Sequence, residues 1–454
     1  MAKLGFPFTL GVASGEPSAD GVILWTRLAV EPLHGSKPGG MPNQVFSVKW
    51  ELAEDEEFTR VIQSGTAPAQ PDWAHSVHVR VSGLRAWTEY FYRFSVDGQT
   101  SPVGRTKTAP GPDSTEPIKV AVVSCQRYEH GFFTVLKHVA AERPDVVFHL
   151  GDYVYEYGKP ANPQPGRYIR PLEATEECRT LAAYRRRYAR YQLDKDLQAA
   201  HAAAPWITMP DDHEVRDNYA GLLPGDGSSQ SAFLKRRNAA YKAYYEHLPL
   251  RVRPVGNNLQ FYRWRPYGKV ADFMFVDARQ YRKGKDMLGA EQQEWLTARL
   301  RASTARWKVI AQALFFAPRK FPLEPPSTDA WDGFPDSRAK VLAAATGDLV
   351  VLSGDVHNAW AGEFGGGVEL GGGVEFVTSS VTSRPPATDG TAMLALNPHL
   401  KFFDGRRGYL VVTAGMSDFT VDYRAVAFVD QPGAPVVTAA GFRVVDNKLQ
   451  RTDL

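Results

Sequence analysis

Phe148-His149-Leu150-Gly151-Asp152-Tyr153-Val154-Tyr155 is an apolar run that stops on a Gly-Asp pair, with a tyrosine three residues beyond the aspartate. Upstream lie an apolar strand pattern at 119–124 and a helical pattern at 133–142, so 119–150 reads as one βαβ unit whose second strand, 146–150, delivers Asp152 at its carboxyl end. In open α/β sheets that edge is where ligands bind. A carboxylate there can bridge two cations, and a phenolate at Tyr155 is a hard anionic oxygen that suits a ferric ion better than zinc. Asp152 and Tyr155 therefore read as half of a metal site, which points to metal-dependent hydrolysis.

The same grammar recurs three times. Ser124-Cys125-Gln126 follows an apolar strand, Asp211-Asp212-His213-Glu214 follows residues 205–210, and Gly354-Asp355-Val356-His357 follows residues 348–353. Any one of these alone reads as an ordinary strand-end turn, and Cys125 alone as a small buried residue. Three acids crowded beside a histidine after a buried strand repel one another unless cations lie between them.

Around these motifs the chain divides. Helical patterns at 181–204, 231–247 and 291–302 alternate with buried strands at 272–276, 308–314, 349–353, 374–378 and 409–413, an α/β arrangement. Before residue 110 the pattern is short strands at 45–52, 76–81 and 89–96, separated by Gly, Pro and Asp, which predicts an antiparallel β-sandwich. Leu84-Arg85-Ala86-Trp87-Thr88-Glu89-Tyr90 has the spacing of a tyrosine corner. Pro110-Gly111-Pro112-Asp113-Ser114 breaks both strands and helices. The expected domains are a sandwich at 1–109, a linker at 110–117 and an α/β domain at 118–454. Gly365-Gly366-Gly367 and Gly371-Gly372-Gly373 read as turns around a short hairpin.

At 454 residues the chain is too long for one core, and 43% apolar with 23% charged residues supplies two. No segment has the apolar length of a membrane span. A net charge of +3 with scattered Lys and Arg excludes an evident nucleic-acid surface. The groups Arg185-Arg186-Arg187 and Lys235-Arg236-Arg237 lie in helical patterns, the first of which reads as a solvated or salt-bridged face. Two cysteines, Cys125 and Cys178, exclude a disulfide framework and allow one bridge. The stretch Met1-Ala2-Lys3-Leu4-Gly5-Phe6-Pro7 lacks an apolar signal core, so the chain is expected to be cytoplasmic or a mature form whose targeting segment is gone.

The order and spacing of these blocks resemble the calcineurin-like metallophosphoesterase superfamily, and within it the alkaline phosphatase D branch. Gly15-Glu16-Pro17 and Gly21-Val22-Ile23-Leu24-Trp25-Thr26-Arg27 resemble that branch's N-terminal domain. The four strand-end motifs, with Asn358-Ala359-Trp360 after His357 and with Asn397-Pro398-His399-Leu400-Lys401, resemble its phosphatase domain. The resemblance implies a four-layer αββα metallophosphatase fold behind the sandwich. It implies alkaline phosphatase activity on small phosphomonoesters by in-line attack of a metal-bound hydroxide, with diester cleavage, of the phospholipase D or teichoic-acid kind, as the alternative. It also implies a periplasmic or secreted location.

Carried over residue by residue, the resemblance assigns a ferric ion to Cys125, Asp152, Tyr155 and His357, with Asp152 as the bridging carboxylate. The second cation falls to Asp152, Asp212 and Asp355. Asp212 and Asp355 stand where the superfamily commonly has an asparagine and a histidine, and Gln312-Ala313-Leu314-Phe315 offers no further histidine. Oxygen ligands disfavour zinc and favour hard cations such as calcium, magnesium or manganese, and among these the resemblance implies calcium. His213 is expected beside the substrate phosphoryl group, as hydrogen-bond donor or proton donor to the leaving oxygen, with Asn218 and His399 as substrate-side residues. Against this stand two rival readings: a cysteine hydrolase built on Cys125, and a non-enzymatic extracellular module with structural calcium.

Overall fold

The computed structural model describes residues 4–452 apart from 161, 163–165, 173–175, 322–324 and 366–371. Residues 1–3 of the N-terminal stretch and the inner residues of the glycine-triplet hairpin lie outside the described residues. The flanking strands of that hairpin, Ala359–Phe364 and Gly373–Val377, pair antiparallel.

Among the described residues, two large sheets stack face to face. The first runs, edge to edge, through Lys448–Arg451, Val436–Val445, Phe419–Val426, Arg407–Ala414, Ile118–Val123, Val146–Leu150, Pro205–Met209, Val12–Ser18, Gly21–Arg27 and Ser76–Ser82. The second runs through Arg263–Tyr267, Ala271–Phe275, Trp307–Ala311, Leu349–Ser353, Gly373–Val377, Ala359–Phe364 and Leu400–Asp404. The strand Ala271–Phe275 shows how they pack. Phe273 and Phe275 point between the sheets, edge-on to Phe148 at 5.0 and 4.9 Å, while Met274 points outward to helix residues Leu296 and Leu300. Side chains alternate across a strand, so a strand covered on both faces is apolar throughout. Helices Thr134–Ala141, Leu181–Gln192, Lys195–Ala203 and Gln230–His247 cover the first sheet, and Gly289–Ala302 and Pro335–Ala344 the second, completing the αββα layering.

A third sheet, Val61–Ala69, Phe46–Ala53, Glu89–Val96 and Gln99–Thr100 with Gly104–Lys107, closes the sandwich. Its residues Leu52, Tyr92 and Phe94 pack on Val22, Leu24 and Val79. The tyrosine corner forms: the Tyr90 hydroxyl accepts the Arg85 N–H at 3.1 Å. The opposite layer of the sandwich continues into the first large sheet, because Val12–Ser18 lies parallel to Pro205–Met209 with Gly15 opposite Trp206. Gly15 is needed there, since a Cβ would sit 2.6 Å from the Trp206 carbonyl oxygen and 2.8 Å from that of Pro249.

Two local expectations need correction. The helix expected at 181–204 is two helices, because Asp194 caps a new one by accepting from Asp196 N at 2.9 Å and Leu197 N at 3.2 Å. Of the solvated or salt-bridged face expected for Arg185-Arg186-Arg187 the salt-bridged form holds at Arg185, but Arg187 turns inward, as does Arg237. Arg185 pairs with the buried Glu246, while Arg187 and Arg237 are buried and donate to backbone carbonyls. Both cysteines are free and buried.

Glu16 ties the N-terminal strands to the second sheet. Its buried carboxylate receives Arg263 at 2.7 Å and also pairs with Arg265, both on the edge strand Arg263–Tyr267. Burial works against the charge, but the two guanidiniums outweigh it and hold the carboxyl below its ordinary 4.5. Glu16→Gln is expected to lower the unfolding free energy by about 3–5 kcal/mol near neutral pH, as for any buried ion pair stripped of one partner. A carboxyl whose folded pKa is depressed contributes fully above its unfolded value and loses that contribution as pH falls through the folded value. Denaturant titrations of both proteins should therefore show the gap closing as pH drops below 4.5.

Candidate active site

The carboxyl ends of the parallel strands in both sheets meet at one place. Val381 N donates to Ser124 O at 3.0 Å and Ser383 N to Cys125 O at 3.2 Å, so the chain leaving Gly373–Val377 crosses onto the first sheet beside Cys125. Cys125 N donates to Gly151 O at 3.1 Å and Gln126 N to Asp152 O at 3.0 Å, which locks the first two motifs together. Cys125, Asp152, Asp355 and His357 all have left-handed backbone, with φ of 58°, 59°, 67° and 59°. A non-glycine residue there carries about 1–3 kcal/mol of strain, and such residues concentrate at functional sites. Both Gly-Asp motifs need their glycine: a Cβ on Gly151 would lie 2.6 Å from that of Asp211, and one on Gly354 2.6 Å from Ser124 Oγ.

Cys125, Asp152 and His357 present sulfur, carboxylate and imidazole atoms within 4.8 Å of one another. Tyr155 completes the group, its hydroxyl 2.7 Å from Asp152 Oδ2 and 3.1 Å from His357 Nε2, with Ser383 Oγ donating to it at 2.7 Å. Burial holds His357 down to about 4, so the ring is neutral. Its Nδ1 lies 2.9 Å from the Arg384 carbonyl, which requires the proton on that nitrogen and leaves the Nε2 lone pair facing the cluster. Burial, then the charge of Asp152, pushes the Cys125 thiol well above 9.0. Burial, then Asp152 and Cys125, does the same to the Tyr155 phenol. A buried, protonated thiol is a poor nucleophile, which removes the support for a cysteine hydrolase.

Asp152 belongs also to a second group with Asp212 and His213, again within 4.8 Å. Asp212 Oδ2 accepts Asn218 N at 2.5 Å, and its Oδ1 is 3.7 Å from Arg279. His213 Nδ1 is 2.7 Å from Glu156 Oε2, which turns Nε2 toward the other side of the ring, 3.8 Å from Asp217. Burial disfavours the His213 imidazolium, yet Asp212, Glu156 and Asp152 raise its pKa well above 6.5. Cations bound at Asp152 and Asp212 would offset two of those charges; Glu156 would remain.

The donor set fits bound cations. Asp152 Oδ1 is buried and has no hydrogen-bond partner among the described residues. Burial, helped by the neighbouring carboxylates and against the pull of His213, pushes Asp152 well above 3.8, and burial with Asp329 pushes Asp355 up to about 7. A cluster whose anions are suppressed by one another regains them when positive charge arrives.

Asp355 stands outside both 4.8 Å groups, electrostatically coupled to Asp329, Arg279 and Asp212. The Asn218 side chain is exposed at the mouth. The His399 ring lies 2.7 Å from the Pro318 carbonyl on an exposed loop. Gln312 is turned away, its Oε1 accepting Leu314 N and Trp331 Nε1 at 2.9 and 3.2 Å.

Several residues have roles at the site that the sequence reading did not assign. Arg279 is buried against Asp211 at 2.5 Å and Asp329 at 2.6 Å. It follows the apolar strand Ala271–Phe275, so the strand-end grammar could have found it. Glu214 fixes two loops by accepting Tyr153 N at 2.5 Å and Asp211 N at 2.8 Å. Arg187 holds the carbonyls of Tyr155 and Tyr157, and Arg127 lies over the rings of Tyr155 and Tyr157 at 5.4 and 4.8 Å. No sequence signal marks these last two.

The comparisons with known proteins agree with this geometry. Residues 120–423 match the family model described as PhoD-like phosphatase, and residues 2–110 match that of the PhoD-like phosphatase N-terminal domain. Alkaline phosphatase D of Bacillus subtilis (strain 168) is 44% identical, over 96% of this chain and 80% of that protein. A solved structure of PhoD superposes with a TM-score of 0.92 at 42% identity, covering 99% of this chain and 92% of that one. A purple acid phosphatase from yellow lupin (Lupinus luteus) seeds shares the fold, with a TM-score of 0.60 at 14% identity, covering 94% of this chain and 74% of that one. The chain belongs to the PhoD-like phosphatase family and is a metal-dependent phosphoric ester hydrolase.

Proposed function

We propose that the site holds a ferric ion at Cys125, Asp152, Tyr155 and His357 and a hard divalent cation, calcium before magnesium or manganese, at Asp152, Asp212 and Asp355. The observation that carries this reading is the convergence of thiol, carboxyl, phenol and neutral imidazole at one point, with Asp152 shared by the neighbouring group. Thiolate and phenolate together suit iron, whereas a carboxylate side without a further histidine suits an oxygen-loving cation. Bound there, such a pair supplies Lewis-acid polarisation of phosphoryl oxygens and lowers the pKa of water.

The chain's own groups then do the rest. Asp152 lies between the two groups and fixes their separation. Glu156 orients His213, whose Nε2 hydrogen-bonds a phosphoryl oxygen and passes its proton to the leaving alkoxide as the P–O bond breaks. Glu214 and Arg187 keep the 152–157 loop from drifting away from Asp211. The substrate is a small phosphomonoester, met at the mouth by Asn218; His399, whose carbonyl accepts Glu363 N at 2.9 Å, belongs to the other end of the strand Ala359–Phe364 from His357 and drops out of the substrate-side set. The reading carries with it an extracytoplasmic location, as the family resemblance implies. Among the described residues no helix is long and apolar enough to cross a membrane.

Elemental analysis and a visible spectrum of purified protein test the metal assignment. Iron with a violet charge-transfer band that Tyr155→Phe abolishes is the expected outcome; a folded, active, iron-free sample would refute the roles of Tyr155 and Cys125. Asp152→Asn should remain folded by circular dichroism while p-nitrophenyl phosphate turnover falls on the order of a thousandfold, the scale of losing an essential charged group. Retained turnover would remove Asp152 from the site. Glu156→Gln should lower kcat by about 10–100-fold with a smaller change in KM, because His213 loses its orientation rather than its ring. Faster hydrolysis of bis(p-nitrophenyl) phosphate than of the monoester would replace the monoesterase reading with the diesterase one.

A further inference from the structure

A cavity of about 890 Å³ opens where the sandwich, the 110–117 segment and the edge of the second sheet meet. It lies at the far end of the molecule from the catalytic residues. Lys269 and Ala305, on its wall, precede the parallel strands Ala271–Phe275 and Trp307–Ala311, whereas Asp152 and Asp355 follow the carboxyl ends of theirs. A five-residue strand separates the two ends by about 16 Å.

The charges on this wall do not balance. Arg80, Arg251, Arg265, Lys269 and Arg299 all line it. Three acids, Asp20, Asp113 and Asp272, share the wall with these five cations and offset them only in part. Asp113 pairs with Lys269 at 3.2 Å, and Asp272 accepts Trp264 Nε1 at 2.8 Å and Ser303 Oγ at 2.5 Å. Asp20 accepts Ser18 Oγ at 2.8 Å, and Glu16 behind the wall is shared between Arg263 and Arg265. Arg80, Arg251 and Arg299 are left without a carboxylate partner among the described residues. Arg251 donates to the Glu16 carbonyl at 2.7 Å, and Arg299 lies over the Trp264 ring at 4.5 Å. Burial, and repulsion from Arg265 and Arg80, holds Arg251 below the ordinary guanidinium range despite the attraction of Glu16 and Asp20. Like charges gathered around a hollow repel less when an anion fills it.

We propose that this cavity is a second, non-catalytic site for a small oligoanion bearing two or three phosphate- or sulfate-type groups. The volume falls within the range of small-molecule pockets, and guanidinium forks match tetrahedral oxyanions in pairs. Prolines 17, 110, 112 and 266 give the site stiff walls, since their φ is fixed. Because its wall is drawn from the sandwich edge strand Ser76–Ser82 and from Arg263–Tyr267, an occupant ties the sandwich to the second sheet.

The test uses sucrose octasulfate, a polysulfate that contains no phosphate ester, titrated calorimetrically into the metal-loaded full chain at low salt. One-site binding is expected, weakened on the order of tenfold in Arg80→Glu/Arg299→Glu, with kcat/KM for p-nitrophenyl phosphate unchanged. Both arginines are exposed, so the variant keeps the fold. The probe should also raise the unfolding temperature of the wild type and not of the variant. A control with the same net charge, Lys235→Glu/Lys285→Glu, should bind like the wild type. The proposal is overturned by absence of binding, by undiminished binding to the arginine variant, or by equal weakening in the lysine control. Competitive inhibition of p-nitrophenyl phosphate turnover by the probe would place it in the catalytic site and equally overturn the proposal. So would binding to anionic phosphatidylglycerol vesicles without binding to the probe.

Discussion

A surplus of buried acidic groups at the meeting point of two sheets is the constraint from which the rest of this structure follows. Cys125, Asp152, Asp211, Asp212 and Glu214 are all buried, and Asp355 and Asp329 close the circle from the second sheet. Burying one unpaired carboxylate is already unfavourable by several kcal/mol, so this assembly persists only with compensating charge. Arg279 provides one fixed positive group, on the Asp211 and Asp329 side. On the opposite side, around Asp152, the positive neighbour is the His213 imidazole, which Glu156 and Asp212 share, and bound cations there would supply the remaining charge.

Gathering those groups strains the backbone. The cysteine, the two aspartates and the histidine that face one another sit in left-handed conformation, and the glycines before Asp152 and Asp355 leave room for the neighbouring loop. The surroundings over-determine these conformations: Glu214 grips two backbone N–H groups, Arg187 two carbonyls, and the Ser124–Cys125 segment receives N–H groups from residues 381–383. Rigid donors set before substrate arrives need no reorganisation during reaction, which is where much of an enzyme's electrostatic advantage lies. The Glu16 tether to Arg263 and Arg265 serves the same end from a distance, holding the second sheet in register with the first.

Much of this was legible in the residues. Strand periodicity found the sheets because buried parallel strands are apolar without interruption, and the polar group after each run marked the site. The tyrosine corner was legible for a similar reason, since its spacing is a local constraint. Arg279 was missed although the same rule applied to it, because a positive charge after a strand did not fit a search for ligands. Arg187 and Arg127 were beyond reach: a guanidinium that holds carbonyls 30 residues away, or lies on tyrosine rings, leaves no periodic trace. The continuity of the sandwich with the catalytic sheet was equally hidden, since parallel pairing of Val12–Ser18 with Pro205–Met209 joins segments far apart in sequence and depends on nothing more visible than Gly15.

That pairing has a consequence for how the protein is made. Val12–Ser18 is synthesised early, yet one of its two neighbours in the sheet is Pro205–Met209. At ~5–20 residues per second, the first strand waits on the order of 10–40 s for that neighbour to emerge. Through this interval the edge of the hairpin it forms with Gly21–Arg27 is open to other chains. One edge of the strand Val12–Ser18 therefore lacks its partner until residues 205–209 have been made, and the catalytic sheet cannot be completed before then.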